Sequence, residues 1–318
     1  MINERTLGLS GSLQFGFAPH SAPSGAATAG TDVNQPQAYP ALYAFGDSLS
    51  DVGNDYTLTA GLLPTGAIYS DGRFSNGNLW VQDLAAKLGL GAVKASLKGG
   101  TDFAYGGAET GGETLHGVVP LDLTSQLAQF IVDDPHPKAG ALYTLSIGAN
   151  DVQDAIAADA KNPSGALLDV QQAVANEISF INSLAQLGAV NFVILNVPDL
   201  GKTPSDKAQA GTASSLSALY DTDLKTALAS LSAKDHLSAH LVDTYALIDQ
   251  AVADPAAFGL KNVTTPVWTG NYENPFSGHL NAHGAAQNSY LFFDSLHPTA
   301  TGHLAVADAA YAALAATV

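Results

Sequence analysis

Short apolar runs separated by stretches of helical spacing recur along this chain. Residues 41–45, 141–147, 190–197 and 240–242 are each apolar enough to form strands buried in a sheet. Between them, apolar residues return every three or four positions. The clearest case puts Leu167, Val170, Val174, Ile178, Ile181 and Leu184 on one stripe of a helix. Further helices are expected over 79–88, 121–132, 214–231 and 304–314. Strand alternating with helix predicts an α/β fold, a parallel sheet covered on both faces, and no internal repeat is visible.

Two segments break the pattern. Residues 1–39 are rich in Gly, Ser, Ala, Thr and Pro without sustained periodicity, and read as a leader or arm outside a main domain over 40–318. They hold one Arg, a Glu and no continuous apolar stretch, so they do not read as a secretory signal. Residues 259–290 are rich in Asn, Gly, His and Pro, with Trp268 and Tyr272 among them, and read as a long excursion beside the site.

The candidate chemistry sits where strands end. Ser48 follows the first apolar run directly, in Gly46-Asp47-Ser48-Leu49, and would project from the carboxyl edge of the sheet, where open α/β folds bind ligands. A helix cap made by Asp47 or Ser48 is the competing reading. A serine hydroxyl needs a base. His297 lies just before the last helical stretch, and Asp294, three residues earlier, can fold back to accept its ring N–H and fix its tautomer. The tetrahedral intermediate of acyl transfer requires oxyanion donors. Asn150, after the 141–147 run, offers its amide, and Gly107, in Tyr105-Gly106-Gly107-Ala108, offers a backbone N–H. A turn-forming Asn and a flexible glycine loop explain those two singly. Neither explains why Ser48, Asn150 and His297 should come from separate segments ending at one sheet edge.

Composition narrows the function. The chain has 318 residues, 46% of them hydrophobic and 13% charged, enough for a substantial core in one large α/β unit. A net charge of −17 repels nucleic acid and anionic membrane surfaces. Without cysteine, thiolate catalysis and disulfides are excluded. No apolar run reaches the roughly 18 residues of a membrane span. His236 with His240, and His279 with His283, have the spacing of two metal ligands on a helix but lack the Glu of a zinc-protease motif. They are expected to be surface or loop histidines, with no metal site.

With those residues in view, the chain resembles the GDSL esterases and lipases of the SGNH hydrolase superfamily. Gly46-Asp47-Ser48-Leu49 with Asp51 is similar to the first block of that family, and Gly107 in its Phe-Ala-Tyr-Gly-Gly-Ala setting to the second. Gly148-x-Asn150-Asp151 is similar to the third, and Asp294-x-x-His297-Pro298-Thr299 to the fifth. The stretches at 71–77 and 196–204 resemble the subgroup of bacterial surface esterases and lecithinase/haemolysin-like lipases.

The resemblance implies a three-layer, flavodoxin-like α/β/α sandwich on a mainly parallel sheet of about five strands. It implies cofactor-free hydrolysis of a small-molecule or lipid ester through an acyl-enzyme on Ser48. His297 would serve as base and acid, Asp294 would orient it, and Ser48 N–H, Gly107 N–H and Asn150 would form the oxyanion hole. It also implies a secreted or cell-surface protein, while the missing signal pattern keeps a cytoplasmic location open; the lack of a long apolar run predicts no stable membrane insertion.

Acyl transfer or phospholipase action stays open beside simple hydrolysis, as does an inactive relative that only holds a ligand. Trp268, Tyr272, Phe276 and Tyr290 are candidates to line an acyl pocket, with local core as the competing reading.

Overall fold

The computed structural model describes residues 35–111, 121–134 and 137–316. The expected leader falls outside them up to residue 34. Its last residues lie on the body: Tyr39 is buried beside the sheet, and Gln37 donates to Asn191 at 3.1 Å.

Strands β1 (Leu42–Gly46), β2 (Leu142–Ser146), β3 (Asn191–Leu195) and β4 (Ser238–Val242) form a parallel sheet in that order. Successive side chains alternate between two cores. Tyr43, Phe45, Tyr143 and Phe192 enter one, and Leu42, Ala44, Val193 and Leu195 the other. Burial on both faces is why β1, β2 and β3 read as nearly unbroken apolar runs, whereas the edge strand β4 is half-buried.

The sheet has four regular strands where about five are expected. Residues 101–105 run beside β1 as an irregular fifth: Ala44 N–H donates to Thr101, Phe103 N–H to Ala44, and Tyr105 N–H to Gly46, at 2.9, 2.7 and 3.1 Å. A regular strand is interrupted because the buried Asp102 carboxylate takes the backbone N–H groups of Ala104 and Val52. With this segment counted, the chain order is 2-1-3-4-5. The topology reverses between β1 and β2, which opens a crevice beyond their carboxyl ends.

The helices are α1 (Asn54–Leu58), α2 (Trp80–Lys87), α3 (Leu123–Asp133), α4 (Ala149–Asp159), α5 (Pro163–Gln186), α6 (Ala210–Asp235), α7 (Thr244–Ala253) and α8 (Ala300–Ala315). Helices α3 to α6 cover one face of the sheet, and α2 with α8 the other, which makes three layers. Leu167 departs from its expected stripe. It is exposed, and Ala166 takes the buried position with Val170, Val174 and Ile181. Helix α7 follows β4 directly, and the Asp243 side chain caps it by accepting Ala246 N–H at 2.9 Å.

Candidate active site

Ser48 is set by the abrupt end of β1. Gly46 has φ +131°, and a Cβ there would lie 1.9 Å from the Ser146 carbonyl, so the chain crosses β2 where no other residue fits. Asp47 N–H then donates to Ser146 O at 3.0 Å, and the Asp47 carboxylate accepts Leu49 N–H at 2.9 Å. This turn holds Ser48 beyond the strand end, with 7% of its surface exposed.

His297 and Asp294 reach the same place from the segment before α8. Ser48 Oγ is 2.8 Å from His297 Nε2, and His297 Nδ1 is 2.7 Å from Asp294 Oδ2. Asp294 Oδ1 accepts the backbone N–H groups of Leu296 and His297, at 2.9 and 2.7 Å, so the carboxylate forms a tight turn that aims the imidazole. Tyr69 OH donates to Asp294 Oδ2 at 2.6 Å. Burial alone would raise the Asp294 carboxyl. The imidazole, the Tyr69 hydroxyl and the His297 N–H outweigh it and hold the group below the ordinary carboxylate value. Phe74 lies against the imidazole, with ring centroids 5.1 Å apart.

Asn150 is tied to the loop that carries Gly107. Gly148 caps α4 with φ +96°, where a Cβ would meet the Tyr220 ring, and Asn150 follows in the first turn. Its Nδ2 donates to Ala108 O at 2.7 Å, leaving the second amide hydrogen for another acceptor. Three carboxylate or amide groups tie the loop that carries Gly107. Asp51 accepts Gly106 N–H at 3.3 Å, Asn150 holds Ala108, and Asp151 accepts the Thr110 hydroxyl at 2.6 Å. Gly107 has φ +74°. Among the described residues, neither Gly107 N–H nor Ser48 N–H donates to an acceptor.

A pocket with largely apolar walls opens at Ser48, Asn150 and His297. Trp268, Tyr272 and Tyr290 are not among the residues that line it. They pack with Tyr69, Val267 and Phe293 into a satellite core beside Asp294, because two distant aromatic segments cover each other there. Phe276 is 92% exposed. The paired histidines share no helix. His236 ends α6 in a left-handed conformation and His240 lies on β4, while His279 is in a loop and His283 precedes a short 3-10 turn. No cluster of three metal-ligating side chains occurs among the described residues.

Tyr69 and the ties from Asp51 and Asp151 were not foreseen as site residues. Tyr69 stands just before the Asp71-Gly72-Arg73 stretch already noted, but nothing local marks it as a partner of a carboxylate 225 positions away.

Several buried acids surround this frame. Burial pushes the carboxyl of Asp47 up to about 7, and those of Glu177 and Asp221 up to about 8. A carboxyl raised in the folded state binds its proton more tightly there than in the unfolded chain. Each therefore contributes stability that is lost as pH rises from the ordinary carboxylate range, about 4, toward the folded value. The melting temperature should fall between about pH 5 and about pH 8. Glu177→Gln should flatten that slope, since the Glu177 carboxyl is fully buried beside Tyr220. Thermal melts across this range check it, and a melting temperature that rises with pH would contradict it.

The family model for GDSL-like lipase/acylhydrolase matches residues 42–310. A phosphatidylcholine-sterol acyltransferase from Aeromonas hydrophila is 29% identical over 241 residues, covering 74% of this chain and 67% of the relative. A thermolabile hemolysin from Vibrio parahaemolyticus is 25% identical over 291 residues, covering 86% of this chain and 63% of the relative. The chain thus spans about two thirds of the length of these curated relatives. Among solved structures, an extracellular lipase from Streptomyces rimosus aligns over 85% of this chain and 98% of its own, at 18% identity and a TM-score of 0.42.

Proposed function

Since the chain belongs to the family of GDSL-like lipases and acylhydrolases, enzymes of carboxylic ester hydrolysis, we propose that it cleaves esters through an acyl-enzyme on Ser48. The observation that carries this reading is the continuous hydrogen-bonded line from Ser48 Oγ through the His297 ring to Asp294. His297 Nε2 takes the Ser48 proton as Oγ attacks the ester carbonyl, and returns it to the leaving alkoxide. Water then enters, His297 activates it in the same way, and the acid departs. Asp294, held by Tyr69 and two backbone donors, keeps the imidazole in the tautomer with its proton on Nδ1 and stabilises the imidazolium.

In this reading the N–H groups of Ser48 and Gly107 and the free amide hydrogen of Asn150 receive the oxyanion. Asn150→Ala should lower kcat by about 10²–10³ with little change in KM, since the contact is made chiefly in the transition state. Because Asn150 also tethers Ala108, the melting temperature should be measured beside kcat per active site, counted by phosphonate titration. A variant that melts earlier but turns over normally would leave Asn150 a structural residue only.

Transfer of the acyl group to an alcohol is a second reading, favoured by the name of the Aeromonas hydrophila relative. It shares the acyl-enzyme and differs only in the acceptor. Partition of product between free acid and new ester, as an alcohol is titrated in, separates the two.

A further inference from the structure

The pocket at Ser48 runs inward between α7 and α8. Leu247, Ile248 and Ala251 of α7 form one wall, and Ala305 and Val306 of α8 another. Leu260, Leu291 and Phe292, all buried, pack with Ala251 into a small core that backs it. Ser48, Asn150 and His297 line the same pocket.

Most polar groups on the walls are already engaged within the protein. Asn196 donates to Asp221 and Asp243 and accepts Thr244 N–H and its hydroxyl. The hydroxyls of Thr203 and Thr301 donate to the carbonyls of Leu200 and Asn288. His303 also lines the pocket; it is buried and neutral, burial having pushed its titration down to about 3, and its Nε2 has no hydrogen-bond partner among the described residues. A polar ligand would lose water here and find few free partners, whereas a hydrocarbon chain loses nothing.

We propose that this pocket binds the acyl chain of the ester, so that the enzyme prefers linear acyl chains of several carbons over acetyl. The proposal rests on Ser48 being the nucleophile. The order of events assigns the acyl part rather than the alcohol. After attack, the acyl group stays bonded to Ser48 Oγ while the alcohol must leave and water must take its place beside His297. A largely apolar pocket that reaches Ser48 suits the part that stays. An alcohol lodged there would have to leave past the acyl-enzyme and would keep water from it.

Two ester series test this. In the first the p-nitrophenol leaving group is constant and the acyl chain runs from acetyl to dodecanoyl. In the second the acyl group is acetyl and the alcohol lengthens. We expect kcat/KM to rise along the acyl series by up to about fourfold per buried CH₂ until the pocket is full, and to stay nearly flat along the alcohol series. Ala251→Phe fills the pocket and should lower the octanoyl-to-acetyl ratio of kcat/KM at least tenfold. Ile248→Trp, at a half-buried position on the same wall, should lower it too and provides a second reading if the first variant folds poorly. Because a ratio is measured on folded sites, loss of protein does not move it. An unchanged ratio in both variants, or a change confined to the alcohol series, would overturn the acyl assignment while phosphonate labelling at Ser48 persists. Absence of that labelling would overturn the mechanism beneath it.

Discussion

Ser48→Ala should reduce kcat on activated esters by a factor on the order of 10⁶, as expected when the nucleophile of a Ser-His-Asp unit is removed. The variant keeps the turn that sets residue 48, because that turn is made by Gly46, the Asp47 carboxylate and the backbone of Leu49 and Ser146. One hydroxyl is lost, and its partner, His297 Nε2, belongs to a residue that lines a pocket, where water can replace it. The melting temperature should therefore change little. A fall of less than about tenfold with unchanged folding would mean that another group makes the first bond.

Asp294→Asn should cost about 10⁴ in kcat, more than an ordinary lost hydrogen bond, because it reverses the imidazole. Oδ1 must remain an oxygen, since it accepts the N–H groups of Leu296 and His297. The amide NH₂ is then forced into the place of Oδ2, facing the Tyr69 hydroxyl and His297 Nδ1. His297 can meet a donor at Nδ1 only by carrying its proton on Nε2, and in that tautomer it cannot accept from Ser48. Crystal structures or histidine nitrogen shifts of the variant would show the tautomer. Activity equal to the parent across the pH range would remove Asp294 from the proposed mechanism.

How much of this was legible follows from which contacts are local. Strands β1 to β3 could be read because each is buried on both faces, and the ends of β1 and β2 could be read from Gly46 and Gly148, whose backbones pass where a side chain would collide. Asp294 and His297 lie in one turn, so their pairing is visible as spacing. The irregular fifth strand was expected only in number, since its course depends on Asp102 capturing N–H groups from two segments. Tyr69 joins Asp294 across most of the chain, and the aromatic residues of 268–290 satisfy one another in a satellite core. Those contacts exist only after the layers have packed. The apolar pocket has the same origin, because its two main walls belong to helices that meet only in the folded chain.

The central claim is that Ser48 carries the acyl group, and active-site labelling with a small organophosphonate tests it most directly. Intact mass should show one adduct per folded chain, peptide mapping should place it on Ser48, and hydrolysis of esters should stop in proportion to the label. Full-stoichiometry labelling on any other residue, or complete loss of ester hydrolysis with Ser48 unmodified, would contradict the account.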